Sequence, residues 1–248
     1  MDDNIRIIAE KISEGGNNII FTGAGISTES GISDYRSKGG IWDKFRPVYF
    51  DEFMNSKDAR IEYWRRKEEL LKELEKAEPN PAHMAVARLH DMGLLEWVIT
   101  QNIDGLNQKA GMPDDRVIEL HGNTLRIRCM TCGETSPVEE ALRRIESEDP
   151  APECRCGGYL KPDTISFGQA MPVAEVEQSA QLSRNADFFM VVGSTLIVQP
   201  ASLMPYYAKE GGAFLAIVNL SETPCDSICD VLINRKAGEV LSEIVRSL

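Results

Sequence analysis

Short apolar runs alternate with helix-patterned segments along most of this chain, and that alternation restricts the folds open to it. Strands are predicted over 17–22, 96–100, 117–120, 186–192, 213–219 and 231–233. Helices are predicted over 4–14, where Ile5, Ile8 and Ile12 share a face and Gly15-Gly16 stops them, and over 60–76, 81–92, 201–210 and 238–248. Apolar runs separated by helices imply an α/β fold, a mostly parallel sheet covered by helices on both faces. Such a sheet presents ligand-binding groups where its strands end, at their carboxyl edge.

The polar residues at those predicted strand ends are therefore the first candidates for function. After the first strand comes FTGAGISTESGISDYR. Gly23 and Gly25 let a backbone approach a phosphate, Ser27 and Thr28 add hydroxyls, and Arg36 can pair with an anion. Thr28 stands where a dinucleotide fingerprint has its third glycine, and a tight strand-to-helix turn without a ligand remains open on these residues alone. After the second strand, TQNIDGL offers Gln101, Asn102 and Asp104 to a carboxamide or a ribose; an Asx turn is the alternative. After the third, His121 in ELHGN is the best general-base candidate, since His83 and His90 fall in a predicted helix, where packing or exposure explains them. Gly193, Ser194 and Thr195, and then Asn219, follow later strands and suit ribose or adenine contacts.

Residues 129–160 differ in character. Cys129-x-x-Cys132 and Cys154-x-Cys156 bracket residues 133–153. Two thiolate pairs suit a tetrahedral zinc, and a closed set of four leaves no position for substrate, so the metal is expected to be structural. A redox pair is the competing reading. Cys225 and Cys229 are taken as ordinary thiols.

The net charge of −12 opposes a broad grip on nucleic acid and is compatible with a basic partner such as a lysine-containing peptide, while solubility alone accounts for most of these residues. MDDNIRII has acidic residues where a signal peptide is basic, and no apolar run approaches a membrane span, so the expected location is cytoplasmic, or nuclear in a eukaryote. The chain is expected to be a monomer or weak oligomer.

These segments together resemble the sirtuins, the Sir2 family of NAD-dependent protein lysine deacylases: GAGISTESGISDYR, TQNIDGL, HGN, the four cysteines, KPDTISFGQAMP, VVGSTLIVQPA and VNLSETP occur in order over nearly the whole chain. The resemblance implies a Rossmann-like NAD-binding domain from residues 1–36, 83–124 and 162–248. A smaller domain would combine a helical insertion, 37–82, with a zinc module, 125–161. It places Gly23, Ala24, Gly25, Ser27, Thr28, Tyr35, Arg36, Gln101, His121, Gly193, Ser194, Thr195, Asn219, Leu220 and Ala237 along the NAD site. Asn102, Ile103 and Asp104 would form the nicotinamide pocket, with Asp104 on the carboxamide and Asn102 counted with His121 as catalytic. Ile165, Phe167 and Gly168 would pair by backbone with an extended acetyl-lysine peptide.

The implied reaction expels nicotinamide and captures C1′ of its ribose with the acyl oxygen. It then uses His121 as base on the ribose hydroxyls, giving free lysine and O-acetyl-ADP-ribose. Residues from Gly31 through Tyr35 would cover the bond that breaks. Mono-ADP-ribosyl transfer is a second enzyme reading. A non-catalytic zinc adaptor is a third, and a nucleic-acid zinc module a fourth. Where the family usually reads PDFR this chain has SDYR, with Ser33 and Tyr35, and Gln169 stands at a common Glu position. Family members that remove succinyl or malonyl groups carry a Tyr and an Arg three residues apart in the helix containing YWRR. Here those positions align with Glu62 and Arg65, or after a one-residue shift with Tyr63 and Arg66. The first alignment predicts acetyl over succinyl, because Glu62 repels an acidic acyl group.

Overall fold

In the computed structural model, which describes residues 2–33 and 46–248, the strands in chain order are β1 (Asn18–Thr22), β2 (Trp97–Thr100), β3 (Val117–Glu119), β4 (Gly122–Cys129), β5 (Thr135–Pro137), β6 (Leu160–Thr164), β7 (Phe188–Val192), β8 (Phe214–Val218) and β9 (Val231–Ile233). Six of them form one parallel sheet in the order β3-β2-β1-β7-β8-β9. The order runs outward in one direction from β1 and in the other from β7. The crevice between these two strands is the topological switch point, where open α/β sheets hold their ligands.

Alternation along β7 explains why both faces are covered. Phe188, Met190 and Val192 enter a core with Ile5, Ile8 and Ile12 of the helix Asp3–Ser13, Val86 of Pro81–Asp91 and Val240 of Ala237–Ser247. Phe189 and Val191 enter a second core with Phe21, Met204 and Ile217. A strand buried on both faces must be apolar throughout, as FFMVV is. Each fully buried side chain of this size contributes about 2–3 kcal/mol.

A separate antiparallel sheet, β5-β4-β6, joins the cysteine segment to the main body. It was not anticipated from the sequence, nor were the helices Phe50–Asn55, Val138–Glu146 and Val173–Arg184. GNTLRIRC has the alternation of a strand, although it ends in the first cysteine of the knuckle. The predicted helix 201–210 begins as a 3-10 turn, Ala201–Leu203, before the α-helix Met204–Glu210. Pro205 sits in the first α turn, where its missing N–H is no loss. The domain boundaries at 124/125 and 161/162 fall inside β4 and β6, so these two paired strands carry the chain between the body and the cysteine segment.

Candidate active site

The carboxyl ends of β1, β2, β3, β7 and β8 bring Gly23, Gln101, His121, Gly193 and Asn219 to one edge of the sheet. Tyr35 and Arg36 lie outside the described residues, so the segment from Gly31 through Tyr35 expected to cover the site is described only as far as Ser33.

The two glycines of the opening loop have a reason the sequence did not disclose. Gly23 N donates to Val192 O at 3.0 Å and Gly25 N to Gly193 O at 2.8 Å. A Cβ on Gly23 would lie 2.7 Å from Gly193 O, and one on Gly25 2.8 Å from Gly193 Cα. The loops after β1 and β7 are pressed backbone to backbone across the switch point, so the glycines serve that contact first. Residues Ala24–Ser30 then form a 3-10 turn rather than an α-helix, closed by Gly31 at φ 84°. Thr28, at the place of a third glycine, is exposed and donates its hydroxyl to Gly25 O at 2.9 Å. Gln101 Nε2 reaches Ser194 Oγ at 3.3 Å from the other side of the crevice.

Beneath this loop lies a buried polar chain. Ser27 Oγ donates to Asp104 Oδ2 at 2.7 Å and accepts from Asn102 Nδ2 at 3.1 Å. Asn102 Nδ2 also reaches Gly23 O at 3.1 Å, and Leu106 N caps Asp104 Oδ1 at 2.9 Å. Ser27 was expected to offer its hydroxyl proton to a phosphate; that proton is committed to Asp104. Burial raises the Asp104 carboxyl above its ordinary range, against the opposing pull of the Leu106 N–H and the Ser27 hydroxyl.

His83, which the sequence reading assigned to packing or exposure, belongs to this chain. It is 0% exposed, and its Nδ1 accepts from Asn80 N at 3.3 Å while Nε2 lies 3.4 Å from Ser27 Oγ. With Nδ1 an acceptor, the neutral ring carries its proton on Nε2 and gives it to Ser27. Burial lowers His83 from 6.5 to about 4, with the Glu29 charge opposing, so the ring is neutral near pH 7. One signal was available in advance: Asn80-Pro81 opens the helix as an N-cap, which puts residue 83 at its capping-box position.

His121 Nδ1 lies 2.9 Å from Gln101 O. A carbonyl only accepts, so in the neutral ring Nδ1 holds the proton and Nε2 is the basic nitrogen. The next residue, Gly122, has φ 74°, and a Cβ there would collide with Asp163 O, so HGN needs its glycine for the β4–β6 contact. That contact gives Ile165 N a bond to His121 O at 3.0 Å, setting Ile165 beside the histidine. Phe167 O accepts from Phe50 N at 2.9 Å.

The four cysteine sulfurs lie within 4.8 Å of one another, Cys129 to Cys156 at 3.5 Å and Cys132 to Cys154 at 3.8 Å. Four thiolates at about 2.3 Å from a tetrahedral zinc are about 3.8 Å apart, so this set fits the ion. Glu62 grips Arg65 through both carboxylate oxygens, at 2.8 and 2.9 Å, and Arg66 at 2.6 Å. Glu69 takes a third nitrogen of Arg65 at 2.6 Å.

A parallel sheet with its polar groups gathered at the β1/β7 crevice, joined to a four-thiol knuckle, defines a dinucleotide-binding α/β protein with a structural metal module. The model of the Sir2 family matches residues 23–200. NAD-dependent protein deacetylase 1 of Bradyrhizobium diazoefficiens is 45% identical over 239 residues, 96% of this chain and 94% of that protein. A solved structure of Sir2 with a p53 peptide and NAD+ superposes with a TM-score of 0.88 at 34% identity, over 99% of this chain and 98% of that one. A Sir2 variant with a deacetylated p53 peptide and 3′-O-acetyl-ADP-ribose gives 0.88 at 35% identity, over 98% and 97%. This chain belongs to the Sir2 family.

Proposed function

We propose that this chain is an NAD-dependent protein lysine deacetylase. It transfers the acetyl group of an acetyl-lysine peptide to ADP-ribose and releases nicotinamide and O-acetyl-ADP-ribose. The observation that carries the reading is the junction at His121. Its imidazole is oriented by Gln101 O at the end of one sheet, while its own carbonyl holds Ile165, in the segment read as the peptide edge. Base and peptide are thereby brought to one point of the crevice.

NAD is the co-substrate. Its pyrophosphate would lie along Gly23, Ala24, Gly25 and Thr28, with Tyr35 and Arg36 from the following segment. Its adenosine would face Gly193, Ser194, Thr195, Asn219, Leu220 and Ala237. Nicotinamide would enter beside Asn102, Ile103 and Asp104, over the buried Ser27–His83 chain. That chain holds Asn102 and Asp104 in fixed orientations, so the pocket is preorganised. His121 Nε2 takes the proton of a ribose hydroxyl, and the Nδ1–H bond to Gln101 O disperses the charge the ring gains. Ile165, Phe167 and Gly168 line the peptide edge. Ile165 N–H and Phe167 C=O are already engaged, so pairing draws on groups of this segment other than these two. Cys129, Cys132, Cys154 and Cys156 would hold one zinc, which fixes the knuckle. We read residues 1–36, 83–124 and 162–248 as the cofactor domain, and 37–82 with 125–161 as the smaller one. No helix among the described residues is long and apolar enough to cross a membrane, and we read the protein as cytoplasmic, a monomer or weak oligomer.

The test is an assay of NAD with acetyl- and succinyl-lysine peptides, following nicotinamide and acyl-ADP-ribose by mass spectrometry. Deacetylation is expected to exceed desuccinylation, because Glu62 and Glu69 already neutralise Arg65. His121→Ala is expected to lose at least about 100-fold in rate while retaining zinc. Full activity of that variant would sink the assignment of the base, and faster desuccinylation the acyl preference.

A further inference from the structure

A second buried polar cluster lies behind the peptide edge, on residues that the site above does not use. Lys161 in β6 is 0% exposed, and its ammonium donates to the carbonyls of Pro162, at 3.2 Å, and of Thr164. The same ammonium is 5.5 Å from the centroid of the Tyr63 ring, which comes from the long helix Lys57–Lys76. Tyr63 is 8% exposed and stands edge-on to Phe53 at 5.1 Å. Its hydroxyl lies 3.2 Å from Thr164 Oγ1, and Ser166 Oγ donates to it at 3.5 Å. Thr164 is thus held twice, by hydroxyl and by carbonyl. The side chains that the Tyr63 hydroxyl meets are those of residues 164 and 166, which flank Ile165. In an extended segment, alternate side chains share a face, so the face gripped by Tyr63 is the one opposite Ile165.

We propose that Tyr63, backed by the buried Lys161, is a positioning residue for the acyl-peptide substrate: it fixes Thr164–Ser166 from behind and so sets how firmly the 165–168 edge receives the peptide. The inference rests on the deacetylase reading for the identity of that peptide. It also assigns a use to a buried lysine that pairs with no carboxylate among the described residues, since Asp163 on the same strand is committed to Arg126 and Arg128 at 2.7–3.0 Å.

The charge balance around the ring gives the grip a pH dependence. Facing the phenol are Lys67 from its own helix, with Nζ 5.6 Å from the ring centroid, and Lys161 from β6; Phe53, packed from the preceding helix, brings no charge. Burial opposes ionisation of Tyr63, but the Lys67 and Lys161 ammoniums and the Ser166 and Thr164 hydroxyls outweigh it and bring the phenol to about 7. A phenolate accepts from both hydroxyls in charge-assisted bonds, so the grip tightens as pH rises through that value.

The experiment is steady-state kinetics with an acetyl-lysine peptide and NAD between about pH 6 and 8, with direct binding of a fluorescent acetyl-peptide in parallel. Tyr63→Phe keeps the ring and removes only the hydroxyl. It is expected to raise peptide KM about five- to tenfold, with kcat and the KM for NAD within about twofold. Ser166→Ala is expected to move peptide KM the same way by less, and Ser166→Thr to restore it. Peptide KM of the wild type is expected to fall as pH rises through about 7 and to lose that slope in Tyr63→Phe. An unchanged peptide KM in Tyr63→Phe would overturn the inference. So would a loss shared equally by kcat, both KM values and the melting temperature, which marks a purely structural tyrosine. A wild type inactive on every acyl peptide would overturn the functional reading instead, and peptide binding by the Tyr63 and Ser166 variants would still decide the role of the cluster.

Discussion

At the scale of single residues, the buried histidine under the cofactor loop has the most measurable consequence. His83 is held neutral in the folded chain, with its affinity for a proton lowered from 6.5 to about 4. Between these values the unfolded chain binds a proton that the folded chain does not, so stability falls as pH drops through that window and is fully present above it. The contribution is up to about 3 kcal/mol. His83→Gln is expected to flatten the pH dependence of urea unfolding between about pH 6.5 and 4, relative to the wild type. An identical slope in the two proteins would rule the histidine out. Asp104, raised by burial, acts in the opposite sense in acid and is common to both proteins. The sequence made His121 legible because it follows a strand end next to a glycine that its pairing requires. It hid His83, because an isolated histidine in a helix carries no mark of what lies above it: Ser27 is 56 residues away.

At the scale of elements, the loops after β1 and β7 behave as one unit. Gly193 has φ 64°, and a Cβ there would run into Ile26 N and lie 2.6 Å from Gly25 C. Gly31 has φ 84° but no described residue within 4 Å of an added Cβ. Gly31→Ala therefore meets only backbone strain, about 1 kcal/mol, whereas Gly193→Ala adds a collision that pushes the loops apart. Gly193→Ala is expected to weaken NAD binding at least about tenfold, and Gly31→Ala to leave it within about threefold, both read by titration. Equal effects would show that the backbone contact across the crevice does not shape the cofactor site. The strands themselves were legible, since FFMVV and NIIFT are continuous apolar runs. The β5-β4-β6 sheet was not, because β5 is a three-residue strand, Thr135–Pro137, with exposed residues at both ends. Its pairing comes from the chain reversal between the cysteines rather than from its own composition.

At the scale of the whole molecule, the charge of −12 acts on the encounter with substrate rather than on the chemistry. A peptide with several lysines is drawn toward an acidic surface, and salt screens that attraction over about 8–10 Å. The KM for a basic acetyl-peptide is expected to rise about two- to fivefold between low and physiological salt, while that of a neutral peptide stays level. A level response for both would place substrate selection in the crevice alone. The parallel sheet also bears on how the protein is made. β1 and β3 both pair with β2, and all three emerge in the first half of the chain. The close contact that gives the Gly23–Gly25 loop its shape waits for Gly193, long after the loop itself has left the ribosome. Late arrival of such partners is characteristic of parallel sheets with non-local pairing. A growing chain can therefore carry every residue of its opening loop and still have no place for a dinucleotide, so the site is assembled only with the last third of synthesis.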